Sequence, residues 1–148
     1  MQLSGFPGII SQPNNRFQLT HLMSLSVVFA IGIGGFFGAI SRYLVAGKIS
    51  LWLDSPFPFG TLVVNALGSL LLGFLSRFLL EHLVVGETVR IGILVGFLGA
   101  FTTFSTFSYE SIALLQEGDI FRASVNILAN AFVCISLCLL GLQLAKAI

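Results

Sequence analysis

The chain has 148 residues, of which 56% are hydrophobic and only 9% charged, and its formal net charge is +1. A soluble domain carries roughly a quarter of its residues as charges, so a water-soluble fold is excluded. The lack of any basic or acidic block also argues against a nucleic-acid surface or a polybasic lipid-binding tail.

Four stretches hold no Asp, Glu, Lys or Arg: 17–41, 55–76, 91–109 and 123–145. Each is close to or above the ~20 residues that cross a bilayer. They predict an all-α integral membrane protein with spans at about 24–43, 59–80, 91–115 and 120–146. Residues 1–22 mix Gly, Pro, Asn and Gln without a basic cluster ahead of an apolar core, so they read as a loose tail and not as a cleavable leader. Met23 is a second candidate start, and residues 23–148 form a single transmembrane domain.

In the first span, Ala30, Gly34 and Gly38 recur every four residues, with Gly32 and Gly35 beside them. Small residues at that interval let helices approach closely where the hydrophobic effect cannot drive association. Arg42 ends the run; it either snorkels to the interface or stands in an aqueous vestibule that attracts anions. Residues 47–58 read as a connection, with Trp52 as an interfacial anchor.

Pro56 and Pro58 suit the start of the second helix, in which Asn65, Ser69 and Gly73 follow one another at four-residue steps. An amide in hydrocarbon must find partners or lose a few kcal/mol to desolvation. Asn65 therefore either bonds a neighbouring helix, lines a pore or supports a break. His21 and His82 stand at segment ends without partners at metal-ligand spacing.

Residues 86–90 read as a turn into the third span, whose middle holds Gly96, Gly99, Thr102, Thr103, Ser105, Thr106 and Ser108 among four phenylalanines. Hydroxyls bond back to carbonyls one turn earlier and bend helices, and a break in hydrocarbon is tolerated only where protein or water covers it. This run predicts a discontinuous helix lining an ion site. Phe101, Phe104 and Phe107 share a broad face unless the break separates them, and Glu110 is either solvated or faces a water-filled mouth.

Residues 116–119 make a short turn, so the fourth helix runs antiparallel to the third. It carries Asn126, Asn130, Cys134 and Cys138 as a stripe, which serves either as interhelical hydrogen bonding or as a polar pore wall. Cysteines four apart on one helix are poorly placed for a disulfide.

Lys and Arg in short loops orient a membrane protein. One side holds Arg16, Arg77, Arg90 and Lys146, the other Arg42, Lys48 and Arg122: four against three, or three against three from Met23. So even a balance permits insertion both ways and predicts a dual-topology, antiparallel homodimer.

Three motifs add a family resemblance. Gly38-Ala39-Ile40-Ser41-Arg42-Tyr43, Gly60-Thr61-Leu62-Val63-Val64-Asn65, and Gly96-Phe97-Leu98-Gly99 leading into Thr102-Thr103-Phe104-Ser105-Thr106-Phe107-Ser108-Tyr109-Glu110 resemble the CrcB/Fluc fluoride channel family in order and spacing. The resemblance implies a cell-membrane homodimer with two antiparallel pores that passively exports fluoride and protects cytosolic enzymes. It also implies a structural, non-transported Na+ at the dimer centre, held by the backbone carbonyls of Gly99 and Thr102. Phe104 and Phe107 would line the pores, Asn65 would reach the pathway, and Ser105, Thr106 and Glu110 would lie close by. Where the family often has hydroxyls in its fourth helix, this chain has Asn126 and Asn130.

The chemistry is consistent with that expectation. A pore for a strongly hydrated anion must replace water with directed donors, and aromatic ring edges carry partial positive charge. The alternative is a dual-topology small-molecule or multidrug exporter. Proton-coupled exporters of that kind use an acidic residue within a span, and the four charge-free runs hold none. No catalytic constellation lies within the spans, so the chain is not expected to be an enzyme.

Overall fold

The computed structural model describes residues 24–81 and 85–148. The expected tail, Met23, Arg16, His21 and His82 lie outside the described residues. Helix α1 (Leu25–Leu53) and α2 (Phe59–Glu81) are the first two spans. The third is composite: α3 (Glu87–Ile91), a π-helical segment (Gly92–Leu98), α4 (Gly99–Phe101) and α5 (Phe104–Gln116). Helix α6 (Ile120–Lys146) is the fourth. Among the described residues all regular structure is helical, and four helical stretches are long and apolar enough to cross a membrane. The chain is a multi-pass membrane protein.

Two boundaries differ from the sequence expectation. Helix α1 continues through Gly47, Lys48 and Trp52, where the sequence predicts a connection. Nothing in that stretch forbids a helix: no proline occurs between the start of α1 and Pro56, and one glycine costs only ~1 kcal/mol. The helix stops at Asp54, whose φ of 40° lies in the left-handed region and whose N–H donates to the Ser50 carbonyl at 3.1 Å. Aspartate tolerates that conformation better than most residues with a side chain. Likewise, the expected turn at 86–90 is already helical from Glu87, with Gly86 as its N-cap.

Close backbone approach organises the packing. Helix α1 lies against the π-helical segment, and a Cβ added at Gly34 would stand 2.1 Å from the Gly92 carbonyl oxygen. One at Gly38 would stand 2.2 Å from the Phe97 oxygen. The expected stripe of small residues is therefore the α1 contact face, whereas Gly32 meets nothing within 4 Å. The pairings rise together along both segments, so they run parallel.

Helices α2 and α6 form a second parallel pair, with Asn65 bonded to Asn130 and Gly73 pressed on the Cys138 carbonyl. Between α5 and α6 the chain reverses at Gly118, whose φ of 81° is one that glycine adopts without a Cβ clash. The Asp119 side chain then caps α6 by accepting from the Arg122 N–H at 2.9 Å. This is the antiparallel α5–α6 hairpin anticipated from the short turn.

Candidate functional site

The break falls at Thr102 and Thr103, both in extended conformation between α4 and α5. A broken helix must find other partners for its freed backbone groups, and Asn65 on α2 supplies them. Its Oδ1 accepts from the Thr103 N–H at 2.8 Å, and its Nδ2 donates to the Thr103 carbonyl at 3.1 Å. The second Nδ2 hydrogen goes to Asn130 Oδ1 at 3.0 Å, so one amide satisfies the break from both sides and ties it to α6.

From there the hydrogen bonds continue. Asn130 Nδ2 donates to Asn126 Oδ1 at 3.0 Å, and Asn126 Nδ2 donates to Ser111 Oγ at 3.0 Å. Ser111 Oγ in turn donates to the Phe107 carbonyl at 2.8 Å. The track spans α2, α6 and α5 and returns one turn beyond the break.

The hydroxyls bond back to carbonyls one turn earlier, as their positions predict. Thr102 Oγ1 donates back to the Leu98 carbonyl at 3.1 Å and Ser108 Oγ to the Phe104 carbonyl at 2.8 Å. Thr103 Oγ1 is the N-cap of α5, accepting from the Thr106 N–H at 3.2 Å and donating to Thr106 Oγ1 at 3.0 Å. These bonds also free carbonyls. In an unbroken helix the Thr103 and Thr106 N–H groups would bond the carbonyls of Gly99 and Thr102. Here they bond Asn65 Oδ1 and Thr103 Oγ1 instead.

The break divides the phenylalanines. Phe101 is buried and stacks on Phe97 with ring centroids 6.0 Å apart. Phe104 and Phe107 pair beyond the break at 5.4 Å, and Phe104 is 79% exposed.

Two cavities flank this arrangement. The larger, 520 Å³, is lined by Asn65, Ser69, Leu72, Thr102, Thr103, Phe104, Phe107, Ile127, Asn130, Ala131 and Cys134. No ionisable carboxylate lines it. The smaller, 350 Å³, is lined by the C-terminal half of α1, including Arg42 and Tyr43, with Thr61, Val64, Thr103, Thr106 and Glu110. Thr61 Oγ1 donates to Glu110 Oε1 at 2.7 Å, while Glu110 Oε2 is buried without a partner.

A family profile described as "CrcB-like protein, Camphor Resistance (CrcB)" matches residues 29–142. The chain belongs to the CrcB family. It is 42% identical over 119 residues to the "Fluoride-specific ion channel FluC" of Geobacter metallireducens, covering 80% of this chain and 96% of that protein. It is 48% identical over 114 residues to the FluC of Nitratiruptor sp., covering 77% and 88%. To the FluC of Methylococcus capsulatus it is 44% identical over 124 residues, which is 84% of this chain and 54% of that protein. The chain thus spans about half the length of the Methylococcus relative and nearly all of the Geobacter one.

In this CrcB-family chain the expected residues converge in part. Asn65, Phe104, Phe107 and Asn130 share the larger cavity, and Arg42, Thr106 and Glu110 the smaller. Ser105 lines neither; it is exposed beside the break, 3.4 Å from Thr103 Oγ1. Asn126 is fully buried and also lines neither. Gly99 is exposed, and a Cβ there would meet nothing within 4 Å.

Thr61 and Ser111 join the polar network beyond the residues expected from the sequence. Both had a signal. Thr61, Asn65 and Ser69 are polar at four-residue steps in an apolar helix, and Ser111 and Asn126 mirror each other across the Gly118 turn. Cys134 and Cys138 are free thiols.

Proposed function

We propose that this chain is a fluoride-specific channel of the cell membrane, through which fluoride leaves the cytoplasm passively and its toxicity falls. The observation that carries this reading is the set of uncharged donors around the broken third span, in a chain 42% identical to a FluC channel over nearly all of that protein. Fluoride must exchange its hydration shell for directed hydrogen bonds. Asn65, Ser69, Thr102, Thr103 and Asn130 line the larger cavity with amide and hydroxyl groups, whose hydrogens an entering anion would draw from the bonds they make at rest. Phe104 and Phe107 bring ring edges of partial positive charge, where a carboxylate would repel an anion.

The working unit in this reading is an antiparallel homodimer. Gly99, Phe104, Ser105 and Thr106 are exposed around an interrupted helix in the middle of a span. Irregular backbone at that depth needs protein or water against it, and a second, inverted copy supplies it with the same surface. The break also suits the sodium ion that the family resemblance implies. The carbonyls of Gly99 and Thr102 are relieved of their helical N–H partners, and carbonyl oxygens suit hard cations. These two residues would hold the ion, which when bound supplies a fixed positive potential in a low dielectric. The larger cavity, bounded by Phe104 and Phe107, would then conduct, and Arg42 would draw anions into the smaller one.

Fluoride efflux from liposomes containing the purified protein tests the reading. Fluoride should leave far faster than through a carrier, and chloride should not follow. Phe104→Ile should cut the flux by up to about tenfold, the rate equivalent of one aromatic edge interaction, with the dimer intact. Equal passage of chloride, or full flux in the variant, would count against the channel and the ring-edge role respectively.

A further inference from the structure

The two cavities share one lining residue, Thr103. They are also offset along α2, a membrane-spanning helix. On α2 the smaller cavity is lined by Thr61 and Val64 and the larger by Asn65, Ser69 and Leu72. At roughly 1.5 Å per helical residue, the interval from Thr61 to Leu72 covers about 16 Å of that helix. Thr103 sits between the two spaces, at the level of Asn65, and is only 7% exposed.

Its backbone cannot swing aside, because Asn65 holds both its N–H and its carbonyl. Its side chain is held as well, capping α5 through the Thr106 N–H. What stays free is the hydroxyl hydrogen, which turns about the Cβ–Oγ bond without moving any heavy atom. At rest it points to Thr106 Oγ1, 3.0 Å away and on the wall of the smaller cavity.

We propose that Thr103 is the threshold between the two cavities, a positioning and specificity-determining residue whose hydroxyl donates to the anion as it crosses. The proposal rests on the channel reading above. An ion in the larger cavity meets the Thr103 O–H when that hydrogen turns away from Thr106. As the ion moves on, the Thr106 O–H takes over as donor, and Thr103 returns to its resting bond. The two hydroxyls offer the ion one hydrogen at a time. That favours an anion small enough to pass directly from one to the other, their oxygens being 3.0 Å apart.

Three substitutions test this in liposome flux assays that record fluoride and chloride together with dimer melting. Thr103→Val keeps the size but removes the donor, and should lower fluoride flux about tenfold to hundredfold, the equivalent of one hydrogen bond to a charged group. Thr103→Ser keeps a hydroxyl and should restore most of the flux. Thr103→Gly preserves the helix start, since glycine is a tolerated N-cap, but widens the threshold and removes its donor. It should reduce the fluoride-to-chloride preference about tenfold, the equivalent of one neutral hydrogen bond.

Wild-type flux in Thr103→Val, an unchanged ion preference in Thr103→Gly, or equal loss in Val and Ser variants would overturn the threshold role. If Thr103→Val does not fold, the comparison of Ser with Gly decides. A wild-type protein that passes no fluoride overturns the channel reading and this proposal with it. A conducting wild type with a failed Thr103 pattern overturns the threshold alone.

Discussion

Asn65 is the side chain on which the interruption of the third span depends. Its three hydrogen bonds replace what the helix gives up at Thr103 and add a tie to α6. Replacing it by leucine keeps a side chain branched at Cγ but makes it apolar, and leaves the Thr103 N–H and carbonyl without those partners. Each orphaned buried group costs about 1–3 kcal/mol, so Asn65→Leu should markedly lower the melting temperature of the detergent-purified protein. Fluoride flux should fall with it. A variant as stable as wild type would show that the break closes into regular helix or finds other partners, and the clamp would be refuted.

At the scale of elements, the bundle is set by where glycines allow backbone against backbone. A Cβ at Gly73 would stand 2.1 Å from the Cys138 carbonyl oxygen, so α2 and α6 would have to separate. Overpacking of that kind typically costs about 1–3 kcal/mol. At Gly47 a Cβ meets nothing within 4 Å, and the residue lies exposed inside α1, where alanine gains up to about 1 kcal/mol of helix propensity. Gly73→Ala should therefore melt below wild type and Gly47→Ala at or above it. The reverse order would mean that the α2–α6 contact is not the close one. The π-helical stretch Gly92–Leu98 belongs to this scale too, since its glycines 92 and 96 sit against α1. Such wide turns recur at functional sites, and this one is separated from the break only by the short α4.

For the whole molecule, loop charges leave orientation almost undecided, with Arg77, Arg90 and Lys146 facing Arg42, Lys48 and Arg122 across the described spans. Orientation is read from such charges, so a reporter fused to the C-terminus should appear on both sides of the membrane. Detection on one side only would sink the inverted dimer and, with it, the proposal that a second copy covers the exposed break. Two Lys residues added next to Lys146 should tip the population to one orientation and abolish flux in cells that make only that variant.

Much of this protein is local information. Four spans follow from charge-free runs, because partition into hydrocarbon depends on the composition of ~20 consecutive residues. The site of the break follows from glycines and hydroxyls crowded between Gly96 and Ser108, since those residue types weaken a helix wherever they stand. The CrcB resemblance also lies in short contiguous motifs. Other features depend on register between helices, which no periodicity within one helix encodes. That Asn65 meets Thr103 and Asn130, that Asn126 turns away from both cavities to Ser111, and that Thr103 stands between two offset spaces are consequences of how α2, α5 and α6 slide against one another. Glycine contacts and cross-helix hydrogen bonds set that slide, and both act at distances of a few ångströms between residues far apart in the chain.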